Sequence, residues 1–138
     1  MRVIAKSGFY HDGRGPELLK VHLSSRSAHL VAVDYSPPDW DGEAVGVRHL
    51  AFARAQSFMF TPEEVENYSS SSVDWGATER GALVSLGRTS WLASFAPIHL
   101  GRCEHFRAMF YDYFLDVICE DVLAHEGPYD PGPAHRAA

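Results

Sequence analysis

Histidine is abundant in this chain, with eight imidazoles alongside the two thiols of Cys103 and Cys119. Imidazole nitrogen and thiolate sulfur are the ligands zinc prefers, but a metal site needs them at suitable spacing and orientation. The nearest grouping is His99, Cys103 and His105, where Cys103 and His105 fall on one strand face and a third ligand would come from the preceding loop. No C-x-x-C or H-E-x-x-H accompanies it. The reading is a packed cysteine beside a polar edge, with no metal and no cofactor expected.

The carboxylates fall into two groups. Asp39, Asp41 and Glu43 form a D-x-D-x-E run of oxygen donors, but it lacks the glycine and the later bidentate acid of a calcium loop, so a solvated acidic loop is expected. Asp112, Asp116, Glu120 and Asp121 gather near the C-terminus, with Asp116 and Glu120 on one face of a strand. Paired carboxylates perform acid–base chemistry when burial drives their pKa values apart. Here Arg107 falls opposite Asp116 and would keep it ionised, which predicts a salt-bridged, exposed face. No G-x-S-x-G elbow surrounds a serine, no local pattern marks Cys103 as a nucleophile, and P-loop and G-x-G-x-x-G signatures are absent. No catalytic residue is assigned.

The element that must carry the C-terminal acids is EHFRAMFYDYFLDVICED, Glu104 to Asp121. Two alternating runs fold back around a turn at Tyr111 and Asp112. This sets Phe106 opposite Val117, Ala108 opposite Leu115 and Phe110 opposite Tyr113 on one face, with Arg107 against Asp116 on the other. In that register Cys103 meets Glu120 and Cys119 meets Glu104. The thiols point to opposite faces and stay reduced, whereas a one-residue slip would pair them and set Phe106 against Asp116.

Upstream, residues 2–10 read as a first strand, and HDGRGP at 11–16 as a turn. ELLKVHL at 17–23 reads either as a strand with Leu19, Val21 and Leu23 inward or as one helical turn opened by Pro16, and the preferred reading is a hairpin through SSRS to a strand in HLVAVDY at 29–35. The adjacent prolines of SPPDWDGE exclude a central strand. Val45 to Phe60 predicts one long, bent strand. Thr61-Pro62-Glu63-Glu64 carries the signature of a helix start, with a hydroxyl cap and proline in the first position, predicting a short helix to about Tyr68. GALVSLG at 81–87 is another strand, and Ser90 is expected to cap a turn carrying Trp91, Leu92 and Phe95.

The expected architecture is α+β, a mostly antiparallel sheet with two short helices and the C-terminal hairpin. One domain over 1–125 is expected, followed by a Pro/Gly-rich mobile tail over 126–138. No apolar run is long enough for a membrane span and the first residues lack a signal-peptide core, giving a soluble, cytoplasmic expectation. A net charge of −6 repels nucleic acid and anionic lipid and favours a basic protein partner. Ten of the twelve Lys and Arg side chains are arginine, the others being Lys6 and Lys20, and this points to a GC-rich bacterial source.

The run Ser90-Trp91-Leu92 followed by His105-Phe106 through Val117-Ile118 resembles small bacterial proteins in which a short helical turn precedes an H-aromatic hairpin. In size and acidity the chain also resembles toxin-immunity proteins, which block a basic enzyme through an acidic surface. That resemblance implies a non-catalytic protein-binding module whose acidic face comprises Asp112, Asp116 and Glu120 with Asp39, Asp41 and Glu43. The alternative is a small enzyme or ligand-binding domain with a His/aromatic pocket drawn from His22, His49, His99 or His105.

Overall fold

A computed structural model of the chain describes residues 2–4, 16–24, 31–37, 46–62, 83–95, 100–111 and 113–130. The strands are β1 (Arg2–Val3), β2 (Glu17–Leu23), β3 (Val31–Ser36), β4 (Arg48–Ala53), β5 (Ser57–Pro62), β6 (Leu83–Gly87), β7 (Glu104–Met109), β8 (Tyr113–Cys119) and β9 (Asp121–Glu126); the helix α1 is Ser90–Ala93. Five strands form one sheet in the order β1-β6-β7-β8-β5, and four form a second in the order β2-β3-β4-β9. Every ladder is antiparallel. The α+β expectation is therefore corrected: the described residues make two antiparallel sheets with one four-residue helix.

The hairpin forms in the expected register. Phe106 faces Val117, Arg107 faces Asp116, Ala108 faces Leu115 and Glu104 faces Cys119, while Phe110 N–H donates to the Tyr113 carbonyl at 2.8 Å. Phe106, Ala108, Leu115, Val117 and Cys119 share a core with Val31, Val33, Tyr35, Leu50, Phe52 and Val122 of the second sheet. Burial of this two-period apolar set drives the face-to-face packing. Cys103 belongs to a separate cluster with Trp91, Leu92, Leu100 and Ile118, so the two thiols occupy different apolar environments, and both are free.

The long bent strand expected over 45–60 is two strands in different sheets. β4 pairs with β9 and β5 pairs with β8, so both chain segments cross from one sheet to the other at the same corner. Arg54 turns the first segment with a φ of 54°, and Ala55 is buried beneath the bend. Gln56 N–H donates to the Ile118 carbonyl and Glu120 N–H to the Ala53 carbonyl, so each bend satisfies the other's backbone.

Three local expectations are corrected. Thr61 and Pro62 do not open a helix; they end β5 opposite Phe114 and Tyr113. β5 lies at the edge of its sheet, where proline's missing N–H costs no ladder bond, and pairing with β8 overrides the cap signal. Residues 63–68 lie outside the described residues. In β2 the register shifts between Leu18 and Lys20, so Leu18 and Val21 pack on the core while Leu19 and Leu23 are exposed. An inserted residue reverses the phase of a strand, which a uniform alternation cannot anticipate. The helix α1 is capped by Thr89, whose Oγ1 accepts from Leu92 N–H at 3.3 Å, one residue before the expected Ser90. No helix of the described residues is long and apolar enough to cross a membrane.

Candidate functional site

Arg107 and Asp116 meet as expected but not on an exposed face. Asp116 is fully buried and Arg107 is 1% exposed, so Asp116 is withdrawn from the acidic recognition surface. Arg107 donates from Nε to Asp116 Oδ1 at 3.0 Å and from its terminal nitrogen to Oδ2 at 3.1 Å, a two-point fork that suits guanidinium and carboxylate. Its guanidinium carbon also lies 4.6 Å from the centre of the Phe114 ring. His105, buried beside it on β7, places Nε2 2.6 Å from Asp116 Oδ1 and Nδ1 2.8 Å from Thr89 Oγ1. Since an ionised carboxylate only accepts, His105 Nε2 carries a proton. Thr89 accepts from Leu92 N–H, and its own hydroxyl is then available to donate to His105 Nδ1.

This gives an unbroken hydrogen-bonded chain from the helix backbone through Thr89 and His105 to Asp116 and Arg107. Trp91 of α1 covers it, edge-on to the His105 ring at 4.9 Å. Burial pushes the Asp116 carboxyl up, but the bonds from His105 and Arg107 and the guanidinium charge outweigh it and hold it below the usual carboxylate range. The chain fastens the helix to the sheet. With Arg107 already neutralising Asp116, the carboxylate has little left with which to activate His105, and the geometry is that of a structural network.

The outer face of the four-stranded sheet presents a more open cluster. Alternation places His22 on β2, Asp34 on β3, His49 on β4 and His125 on β9 toward the same side; Asp34 lies opposite His49 and His49 opposite His125. His22 Nε2 is 2.9 Å from Asp34 Oδ2, with side-chain exposures of 21% and 8%. Asp34 Oδ1 accepts from Tyr129 N–H at 2.7 Å, and the Tyr129 ring stands edge-on to His22 at 5.2 Å and to His49 at 5.5 Å. His49 Nδ1 donates to the Gly127 carbonyl at 2.9 Å, and Gly127 N–H donates to Val47. Both acceptors fix a tautomer: the proton sits on His22 Nε2 and on His49 Nδ1, leaving His22 Nδ1 and His49 Nε2 as lone pairs in the neutral rings.

The residues expected to act are thus redistributed. His22 and His49 come together, whereas His105 is absorbed in the buried chain and His99 lies outside the described residues. Glu120 is partly exposed and pairs with Arg54 at 2.7 Å across the corner. Asp112, Asp39, Asp41 and Glu43 lie outside the described residues. Burial pushes the Cys103 and Cys119 thiols up, against thiolate formation. Asp34, His125, Tyr129 and Thr89 were missed. Asp34 was signalled by a lone acid inside the apolar HLVAVDY, and His125 by the alternation of VLAHE just after the hairpin.

Among the described residues no three His, Cys, Asp or Glu side chains are placed to share one metal ion. Fold and site together define an antiparallel two-sheet domain bearing a His/Asp/Tyr cluster on one outer face. Compared with protein-family models, curated proteins and solved structures, the chain matches none.

Proposed function

We propose that the chain is a ligand-binding domain whose site is the outer face of the four-stranded sheet. The observation that carries this is the convergence of His22, Asp34, His49, His125 and Tyr129 from separate strands and the segment after β9, with two imidazoles held in fixed tautomers. Fixed polar groups beside an aromatic ring orient a small ligand at low cost in side-chain entropy. Bacterial origin and a cytoplasmic location belong to the same proposal, supported by the arginine-rich composition and the unbonded buried thiols. A fragment screen by NMR on the uniformly labelled chain tests it. Hits should shift the ring resonances of His22, His49, His125 and Tyr129; hits that leave these rings unmoved and cluster elsewhere sink the assignment.

A second reading, the immunity-type protein-binding module, keeps one specific support. Tyr111 and Tyr113, on either side of Asp112 in sequence, are 45% and 43% exposed at the hairpin tip. Tyrosines are favoured anchors at protein interfaces, and the acid would complement a basic partner. Association that weakens with salt and again on Asp112→Lys supports this reading; insensitivity to Tyr111→Ala and Tyr113→Ala removes it.

A further inference from the structure

We infer that His49 and His125 form the nucleus of a divalent transition-metal site on this outer face, with further coordination positions open to water or to a ligand atom. The inference rests on the ligand-binding reading above and names a ligand class for it.

The two residues are direct cross-strand partners, so their separation is set by the β4/β9 ladder and not by flexible loops. Their ring centroids are 5.3 Å apart, with the planes tilted by 41°. Two imidazoles sharing one tetrahedral ion have a predictable spacing. With metal–nitrogen bonds of about 2.0–2.1 Å and about 1.1 Å from nitrogen to ring centre, the centroids stand about 5.2 Å apart. The pair is already at that spacing.

Orientation gives an independent argument. His49 spends Nδ1–H on the Gly127 carbonyl, which leaves Nε2 as the coordinating lone pair and holds the ring by its far side. Metal-binding imidazoles are supported in this way, by a carbonyl or carboxylate on the nitrogen that does not bind. The supporting carbonyl is itself fixed, because Gly127 N–H donates to Val47. Asp34, opposite His49 in the β3/β4 ladder, spends its two oxygens on His22 and on Tyr129 N–H and is not a third ligand. His22 is held toward Asp34, in keeping with the absence of any three-residue metal group among the described residues. Two imidazoles with open positions suit Cu²⁺, Ni²⁺ or Zn²⁺, with Cu²⁺ bound most tightly by the general affinity order.

The test uses the full chain without a purification tag. Cu²⁺ is titrated by calorimetry and by electron paramagnetic resonance, and Zn²⁺ by NMR of the histidine rings. The expected result is one equivalent of Cu²⁺ with nitrogen ligands, Zn²⁺ shifts at His49 and His125, and affinity weakened about tenfold or more by His49→Ala and by His125→Ala. His135→Ala, outside the described residues, is the control and should leave binding unchanged. Should His49→Ala misfold, exposed His125 still offers a variant that spares the core, and His49→Gln keeps the bulk of the ring. Binding that survives both substitutions, or no binding at all, overturns the metal site. If metals fail but fragments still perturb the His22, His49 and Tyr129 rings, the ligand-binding reading stands without the metal; if neither perturbs them, both fall.

Discussion

The described residues contain two histidine–aspartate pairs built from the same atoms. His105 Nε2 lies 2.6 Å from Asp116 and His22 Nε2 lies 2.9 Å from Asp34. Their surroundings differ. Asp116 is fully buried and forked by Arg107, and both His105 nitrogens are spent, one on Asp116 and one on Thr89. Asp34 receives a backbone N–H from Tyr129 in place of a guanidinium, and His22 keeps Nδ1 without a partner among the described residues. The same pair is structural where a counter-charge and a covering helix close it, and available for recognition where the sheet face leaves one nitrogen over. Pair chemistry alone does not define a site; the unspent atom does.

The difference is most easily broken at Arg107. Arg107→Met leaves Asp116 as a buried carboxylate without its fork, and the cost should be about 3–5 kcal/mol, read from urea unfolding. A double variant, Arg107→Met with Asp116→Leu, removes both charges and should cost less than the single Arg107 change. If the single variant loses less than about 1 kcal/mol, the network does not depend on the ion pair and the contrast with Asp34 collapses.

Acid sharpens the contrast without a mutation. The Asp116 carboxyl is held below its ordinary 3.8, so the folded state binds this proton less readily than the unfolded state. The stability it contributes is fully present above about pH 3.8 and is lost as pH falls through the lower folded value. Unfolding midpoints measured from pH 5 downward should therefore decline, and Asp116→Asn should flatten the decline. An equal slope in wild type and variant would assign the acid sensitivity to other carboxylates.

Legibility in the sequence followed locality. The hairpin register was readable because both strands lie within one short segment and a slip would have set Phe106 against Asp116. The side of the sheet that would be covered was not readable. His105, Arg107 and Asp116 form a polar stripe that alternation assigns to solvent, whereas Thr89 and Trp91 return over His105 and Phe114 lies against the Arg107 guanidinium. The β4/β5 and β8/β9 corner was hidden for a related reason: a bend at Arg54 looks like a continuous strand until two sheets compete for its halves. His125 and Tyr129 escaped because their significance lies in what β4 and β3 place beside them, at long sequence separation.

Thr89 tests whether the buried pair is truly closed. Its hydroxyl caps α1 and satisfies His105 Nδ1, so Thr89→Ala removes two bonds at once and should cost about 1–2 kcal/mol. Thr89→Ser retains the hydroxyl and should recover most of that loss. Hydrogen exchange at the His105 ring, faster in the alanine variant than in the serine one, would show that the cap also seals the network. Identical exchange in both would leave the helix cap as the only role of Thr89.

The smallest change is expected at the open pair, and it carries the comparison furthest. Asp34→Asn preserves an oxygen able to accept from Tyr129 or from His22, and no buried guanidinium is left without its counter-ion. The stability cost should therefore be about 1 kcal/mol, well short of the Arg107 effect. What should change is orientation: an asparagine can turn its amide nitrogen toward His22, where a donor meets Nε2 and favours the proton on Nδ1 instead. Nitrogen-15 shifts of the His22 ring would report that change of tautomer in a chain that remains folded. A folded Asp34→Asn chain with an unaltered His22 tautomer would mean that Asp34 does not set the proton's position, and the proposed lone pair facing a ligand would lose its support.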